Sequence, residues 1–308
     1  MSSALIIGAG GQDGRLLTEQ LSAHGWQVRG LLRERGGDLM LSNPRAMREF
    51  LVSVNPIHIY YLAAHHHSAQ DRPPEPAELF RASAAAHVDG FVNVLEAMRL
   101  DAPQARLFYA ASSHCFGSHP PTPVQDEATP LIPDNIYGIT KTAGVHLCRY
   151  YRNDFGLFAS VGFLYNHESP YRRPEFVTSK IIRAAIDISR GKRDLLVLGD
   201  LSAQVDWGWA PDYVDAMARI LRLDCPDDFV IATGEPHTVG EFAQLAFAGV
   251  GLDWREHVEE NPGIITKRKL GLVGNPAKLK AATGWSPTVT FEQMIRRLLE
   301  QHQMNGSA

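Results

Sequence analysis

The 308-residue sequence predicts an α/β protein, a doubly wound parallel sheet covered by helices, with a smaller and interleaved C-terminal region. Three observations predict it. Short apolar runs alternate with amphipathic, helix-length stretches through the first 164 residues. A glycine-rich turn joins the first apolar run to the first amphipathic stretch. From about residue 167 prolines and glycines become frequent and the strict alternation fades.

The elements follow in order. Residues 4–7 (Ala-Leu-Ile-Ile) are the first strand, and Gly8-Ala9-Gly10-Gly11 the turn after it. Leu16, Leu17, Leu21 and Trp26 recur among polar residues as on one helical face, and Val28 to Leu32 reads as a second strand. A helix near 44–54, a strand at 57–62, a long helix within 76–100 and a strand at 106–110 continue the pattern. A helix at 138–154 leads to the strand 157–164. Crossover helices between strands give parallel pairing. The boundary is expected at 166/167. Residues 1–166 would form one body, and 167–308 a second region that returns segments to the first.

Composition narrows the class. The chain is 44% hydrophobic and 21% charged, enough to bury a substantial core. A net charge of −4 leaves no basic face, so nucleic acid is not an expected partner. Cys115, Cys148 and Cys225 lie far apart without a CxxC pair, which fits reduced thiols better than a disulfide framework or a zinc site. No apolar run reaches membrane-spanning length, and Met-Ser-Ser runs straight into a strand. A cytoplasmic protein without a membrane partner is the expectation.

Gly8, Gly11 and Gly14 form GxxGxxG, after a strand and opening a helix. Such a turn lets backbone approach a pyrophosphate, which then sits on free N–H groups at the helix N-terminus. This is the Rossmann signature, and it makes residues 1–166 a dinucleotide-binding domain. The second strand runs into Arg33-Glu34-Arg35. An arginine there can take the 2′-phosphate of NADP, so Arg33 favours NADP, with NAD as the alternative because Glu34 intervenes.

Tyr137-Gly-Ile-Thr-Lys141 places a phenol and an ammonium four residues apart, on one helical face. Lys141 can then lower the phenol pKa and hold a nicotinamide ribose, while Tyr137 takes or returns a hydroxyl proton. Ser112 and Ser113 follow the strand 106–110, where a hydroxyl can share the substrate oxygen with the tyrosine. Glycine turn, strand-end serines and YxxxK occur in the order that a hydride-transfer site requires.

With these motifs the chain resembles the GDP-mannose 4,6-dehydratase family of extended short-chain dehydrogenase/reductases over nearly its whole length. The resemblance is carried by Gly11-Gln-Asp-Gly14, Asp38-Leu39, Tyr61-Leu-Ala-Ala64 and Tyr137-Gly-Ile-Thr-Lys141. Further matches are Asn166-His-Glu-Ser-Pro170, Phe176-Val-Thr178, Asp206-Trp-Gly208 with Asp212-Tyr213, and Ile231-Ala-Thr-Gly-Glu235. It implies a cofactor cycled within one turnover: C4 of a sugar is oxidised, water is lost across C5–C6, and hydride returns to C6. It further implies Gln12 and Asp13 at the cofactor, Asp38 and Leu39 at its adenine, and Leu62, Ala63, Ala64 and His66 along its length. His167 and Arg172 would also touch the cofactor. Asn166, with Ser113 and Lys180, would face the substrate, a nucleotide sugar that is GDP-linked by the same resemblance. The region 167–308 would bind mainly that substrate.

The chain departs from the family in places. At the strand end the family carries a hydroxyl residue and, two positions later, a glutamate that serves elimination. Here the run is Ala111-Ser112-Ser113-His114, so Ser112 keeps the hydroxyl and His114 replaces the glutamate. Histidine, with an unperturbed pKa of about 6.5, can act as a base. Elimination is one reading, and C4 reduction or epimerisation alone is the other. Ser179 and Val205 stand where the family has arginines, which could have gripped phosphate with a bidentate fork. A third arginine, expected ahead of Gly274-Asn-Pro276, has no clear counterpart, although Lys267, Arg268 and Lys269 lie nearby. Another nucleotide or sugar carrier therefore stays open. The segment from Arg33 to Asp38 is shorter than the family's loop that helps build tetramers, so a homodimer through helices near 80–98 and 138–154 is expected, with a tetramer as the alternative.

Other features are read conservatively. His65-His66-His67 alternate in direction on an extended segment and are not expected to share a metal. Asp126-Glu127 reads as a solvated loop, Arg173 as either reaching phosphate or lying at the surface, and Trp207 and Trp209 as packing. A dinucleotide-binding protein without catalysis is the third reading, which the retention of Ser112, Tyr137 and Lys141 opposes.

Overall fold

The computed structural model describes residues 2–32, 40–65, 75–264 and 271–305, except the side chains of Ile264 and Asn305. Strands β1 (Ser3–Ile7), β2 (Gln27–Leu31), β3 (His58–Tyr61), β4 (Arg106–Ser112), β6 (Phe158–Leu164) and β10 (Asp228–Ile231) form one parallel sheet. A two-residue β5 (Val124–Gln125) lies apart from it. The order across the sheet is β10-β6-β4-β3-β1-β2. Strands that diverge from β1 in both directions, joined by helical crossovers, make the expected Rossmann-type sheet.

The near-continuous apolar strands are explained by burial on both faces. Leu5, Ile7, Ile59, Tyr61, Leu107 and Tyr109 face one core, shared with Met47 and Leu51 of α2 (Pro44–Val54), Phe91 and Leu95 of α4 (Gly90–Asp101), and Val145 of α5 (Ile136–Phe155). Their neighbours Ala4, Ile6, Tyr60 and Phe108 face the other, against Leu17 and Leu21 of α1 (Gln12–Ala23). Local signals set the ends. Asn43 caps α2 by accepting from the amides of Arg45 and Ala46, with Pro44 at its first position. Asn135 caps α5, which stops at the left-handed Gly156.

Two expectations need correction. The long helix within 76–100 is α3 (Pro76–Ala84) and α4 joined by a π-helical segment, Ala85–Asp89, whose Ala86 carbonyl accepts from the Tyr61 hydroxyl. Asp126-Glu127 is not a solvated loop. The half-buried Glu127 carboxylate accepts the Val230 amide at 2.7 Å, and burial pushes its pKa up. β10 is an edge strand, so its outward amide needs an acceptor from outside the sheet.

After β7 (Asn166–Glu168) the chain builds small elements around a third core. These are α6 (Val177–Ser189), β8 (Leu196–Leu198), β9 (Gln204–Trp209), β11 (Pro236–Thr238), α8 (Val239–Ala248), β12 (Val258–Glu260) and α10 (Phe291–Asn305). Trp207 and Trp209 pack there with Ile181, Phe242 and Phe291. Between β9 and β11 the chain crosses back. Helix α7 (Ala210–Ile220) packs Tyr213, Met217 and Ile220 into the core above α1, and β10 extends the main sheet. β13 (Val273–Gly274) pairs with β5, and α9 (Ala277–Thr283) follows it.

Candidate active site

The site forms where the C-terminal ends of β1, β3 and β4 meet the first turns of α1 and α5, the usual ligand crevice of such a sheet. Gly8 has φ +94°, and a side chain on it would meet the backbone of Leu62 and Ala63 at 2.8 Å. Gly14 packs on the carbonyl of Gly8 and within 2.6 Å of Ala9 Cα once a Cβ is added. Gly11 is the N-cap of α1 and offers its amides no side-chain partner. The turn is thus bare backbone lying against the strand-end segment Leu62–Ala64. A pyrophosphate fits that geometry and its chemistry.

Lys141 is buried with its Nζ donating to the carbonyls of Ala110 at 2.8 Å and Ala63 at 3.4 Å. It ties α5 to β4 and to the segment that Gly8 touches. Burial pulls its pKa down to about 8. Its Nζ lies 5.9 Å from the Tyr137 ring centre. Lys141 was expected to lower the phenol pKa, but burial dominates, reinforced by the Cys115 thiol, and holds Tyr137 above its ordinary value. The Arg172 charge and a hydrogen bond with Ser112 act in the opposite direction.

Ser112 ends β4 and caps the following turn, its hydroxyl accepting from the His114 amide at 3.2 Å. Ser113 is buried in that turn. His114 stands edge-on to Tyr137, with ring centres 5.8 Å apart. Its Nδ1 lies 3.4 Å from Asn135 Nδ2. Asn135 cannot turn over, because its Oδ1 accepts the Gly138 amide and its Nδ2 also donates to Asp134. His114 Nδ1 is therefore an acceptor, and the ring proton sits on Nε2.

A second cluster closes the other side. His167 Nδ1 faces the Tyr165 carbonyl at 2.7 Å and its Nε2 faces Asp13 Oδ1 at 2.9 Å. Both neighbours are acceptors, so both ring nitrogens carry protons and His167 is an imidazolium. Burial opposes that charge, but the Asp13 carboxylate outweighs it and raises the His167 pKa. Burial likewise works to raise Asp13, yet His167 and Gln12 hold it below its usual value. Gln12 donates to the His167 carbonyl and accepts from Ser169. The start of α1 is thus bonded to β7. Arg172 stacks on Phe176 at 3.7 Å and approaches Glu168 at 3.3 Å without hydrogen-bond geometry, so among the described residues its buried Nε has no hydrogen-bond acceptor.

The sequence-derived candidates Gly8, Gly11, Gly14, Leu62, Ala63, Ala64, Ser112, His114, Tyr137 and Lys141 thus converge, with Gln12, Asp13, His167 and Arg172 beside them. Asn166 is exposed at the start of β7, and Lys180 is half-buried on α6 next to Ser179, whose hydroxyl donates to the Arg172 carbonyl. Arg33, Asp38, Leu39 and His66 lie outside the described residues, as do Lys267, Arg268 and Lys269. Sequence reading missed Asn135, His87 and Thr140. The first was visible as a helix cap before YxxxK and Thr140 lies within that motif; His87 carried no signal, because only packing brings it to the tyrosine.

Comparison with known proteins follows the same lines. A family model described as GDP-mannose 4,6 dehydratase matches residues 35–298. GDP-mannose 4,6 dehydratase 1 of Arabidopsis thaliana is 37% identical over 329 residues, covering 97% of this chain and 89% of that protein. The GDP-mannose 4,6-dehydratase of Yersinia enterocolitica is 32% identical, covering 97% and 93%. In fold the chain is similar to RMD from Pseudomonas aeruginosa complexed with NADPH (TM-score 0.84, 20% identity, 99% and 100% covered). It is equally similar to a UDP-glucose 4-epimerase from Thermotoga maritima (TM-score 0.85, 19% identity, 98% and 99% covered). With a glycine turn, strand-end serine and YxxxK in one crevice, and matches along nearly its full length, this chain belongs to the GDP-mannose 4,6-dehydratase family.

Proposed function

We propose that the protein is an NADP(H)-dependent nucleotide-sugar 4,6-dehydratase acting on a GDP-linked hexose. The observation that carries this reading is Ser112, Tyr137 and Lys141 gathered beside the glycine turn, in a chain with full-length relatives of that activity. Residues 1–166 hold the dinucleotide and 167–308 mainly the sugar nucleotide. Gly8, Gly11, Gln12, Asp13, Gly14, Arg33, Asp38, Leu39, Leu62, Ala63, Ala64, His66, His167 and Arg172 line the dinucleotide. Ser113, Asn166 and Lys180 face the substrate. Exposed Phe80 on α3 and Tyr150 and Phe155 on α5 support a homodimer through these helices; the cytoplasm is the compartment proposed for it.

A nicotinamide held by the glycine turn and Lys141 would supply the hydride acceptor for C4 and the hydride donor for C6. Tyr137, once ionised against the burial that raises its pKa, takes the C4 hydroxyl proton, with Ser112 sharing that oxygen and Lys141 supplying positive charge. The resulting C4 ketone acidifies the C5 hydrogen. Loss of that proton and departure of the C6 hydroxyl release one water, and hydride at C6 with a proton at C5 completes a 4-keto-6-deoxy sugar. His114 is the group at hand for the proton steps.

One observation favours a second reading, C4 reduction or epimerisation. With Asn135 donating to Nδ1, the Nε2 of His114 carries a proton and donates to an oxygen instead of receiving the C5 proton. Incubation with GDP-hexoses and NADP distinguishes the two by mass. Loss of one water from the sugar is expected; turnover with C6 unchanged would overturn the dehydratase reading.

A further inference from the structure

The π-helical segment Ala85–Asp89 carries one side chain that reaches both halves of the proposed redox site. His87 is fully buried, and both of its ring nitrogens face a hydrogen-bonding atom of another segment. Its Nε2 accepts the backbone amide of His65 at 3.0 Å, directly after the segment Leu62–Ala64. Its Nδ1 lies 2.8 Å from Thr140 Oγ1, one residue before Lys141. Thr140 Oγ1 in turn lies 2.9 Å from the Ile136 carbonyl and 3.2 Å from that of Tyr137. The direction of each bond is fixed. The amide of His65 can only donate, so Nε2 is bare and Nδ1 holds the proton; Thr140 accepts it and donates its own to the helix backbone. The edge of the ring also meets Tyr137, with centres 5.3 Å apart.

The segment is held open from the far side. A regular helix would use the Ala86 carbonyl and its neighbours within the ladder, but Tyr61 donates its hydroxyl to Ala86. Gly90, where the α-helix resumes, leaves room for that hydroxyl, which a Cβ would meet at 3.1 Å. π-Segments of this kind cost helix regularity and are found frequently at functional sites.

We propose that His87 is a positioning residue with two separable jobs: its Nε2 sets the strand-end segment along which the dinucleotide lies, and its Nδ1, through Thr140, sets the turn that carries Tyr137 and Lys141. The inference rests on the dinucleotide reading given above. It touches neither sugar nor nicotinamide in this assignment, and acts through His65 and Thr140 only.

The two jobs map onto two substitutions, because asparagine reproduces the reach of Nδ1 and glutamine that of Nε2. His87→Asn keeps the link to Thr140 and loses the link to His65. It should hold kcat within about threefold while weakening NADP binding about tenfold. His87→Gln should do the reverse, holding NADP affinity and lowering kcat about tenfold, with its pH profile displaced because the Tyr137 turn has moved. His87→Phe should lose both. NADP affinity is read by fluorescence titration and kcat with the sugar nucleotide that the protein turns over. Should His87→Phe fail to fold, the contrast between the asparagine and glutamine variants still decides. Equal effects of those two on both quantities, or a His87→Phe enzyme within twofold of the parent, would overturn the proposal. Tyr137→Phe is run alongside: if it keeps full activity, the redox-site reading itself fails, a result distinct from failure of the His87 assignment.

Discussion

At the scale of single residues the site is governed by which proton sits on which atom. Asn135 was placed by its backbone role as a helix cap, and that role fixes its amide so that His114 Nδ1 must accept. Asparagine and aspartate cap helices about equally well. Asn135→Asp should therefore leave the fold intact while reversing the bond: His114 Nδ1 would donate to the new carboxylate, and Nε2 would be bare. The expected outcome is a larger share of water elimination relative to C4 redox turnover, by about tenfold, read by product mass. An unchanged product ratio would show that His114 does not carry the elimination proton. The YxxxK spacing was legible because four residues make one helical turn. The tautomers were not, since they depend on neighbours from three other segments.

Elements set how closely backbone can approach a ligand. Gly14 and Gly11 look alike in the sequence motif, but their surroundings differ. A Cβ on Gly14 would collide with Gly8 and Ala9, both backbone, whereas one on Gly11 meets only the Gly8 carbonyl at an ordinary 3.4 Å. Gly14→Ala should lower stability by about 2 kcal/mol and widen the turn. Gly11→Ala should leave the melting temperature near that of the parent, yet weaken NADP binding at least tenfold through crowding of the anion. Chemical denaturation and titration of NADP measure the two effects. A Gly11→Ala protein that binds normally would remove Gly11 from the phosphate cradle. The strands and most helices were legible from periodicity and caps. The π-segment was not, because Ala-Ala-His-Val-Asp has nothing locally unusual and the cause lies in Tyr61, about 25 residues earlier.

Across the whole molecule, the Asp13–His167 pair bonds the first helix of the sheet to the first strand beyond it. The signs of the two shifts set its pH range. His167 has a folded pKa above its ordinary 6.5, so its contribution is full below pH 6.5 and is lost as pH rises through the folded value. Asp13 has a folded pKa below 3.8, so its contribution is full above 3.8 and is lost as pH falls through the folded value. Both are complete between about pH 4 and 6.5. Asp13→Asn should cost about 2 kcal/mol in that window, and the gap from the parent should narrow on going above pH 6.5. Urea unfolding at several pH values tests this. A gap that stays constant to pH 9 would mean that the pair is not ionic.

The sequence by itself determined the layered α/β sheet, the glycine turn, the family and the order of Ser112, Tyr137 and Lys141. All of these are local: strand and helix periods, caps and turn chemistry act within a few residues, so a linear reading captures them. Tertiary structure alone decided which segments, α7 and β10, return to the first body, that Glu127 completes an edge strand, that Lys141 is depressed by burial, and that His87 bridges two segments. Those outcomes depend on desolvation and on hydrogen-bond partners far apart in the chain. No pattern of nearby residues encodes which donor will meet which acceptor once water is excluded.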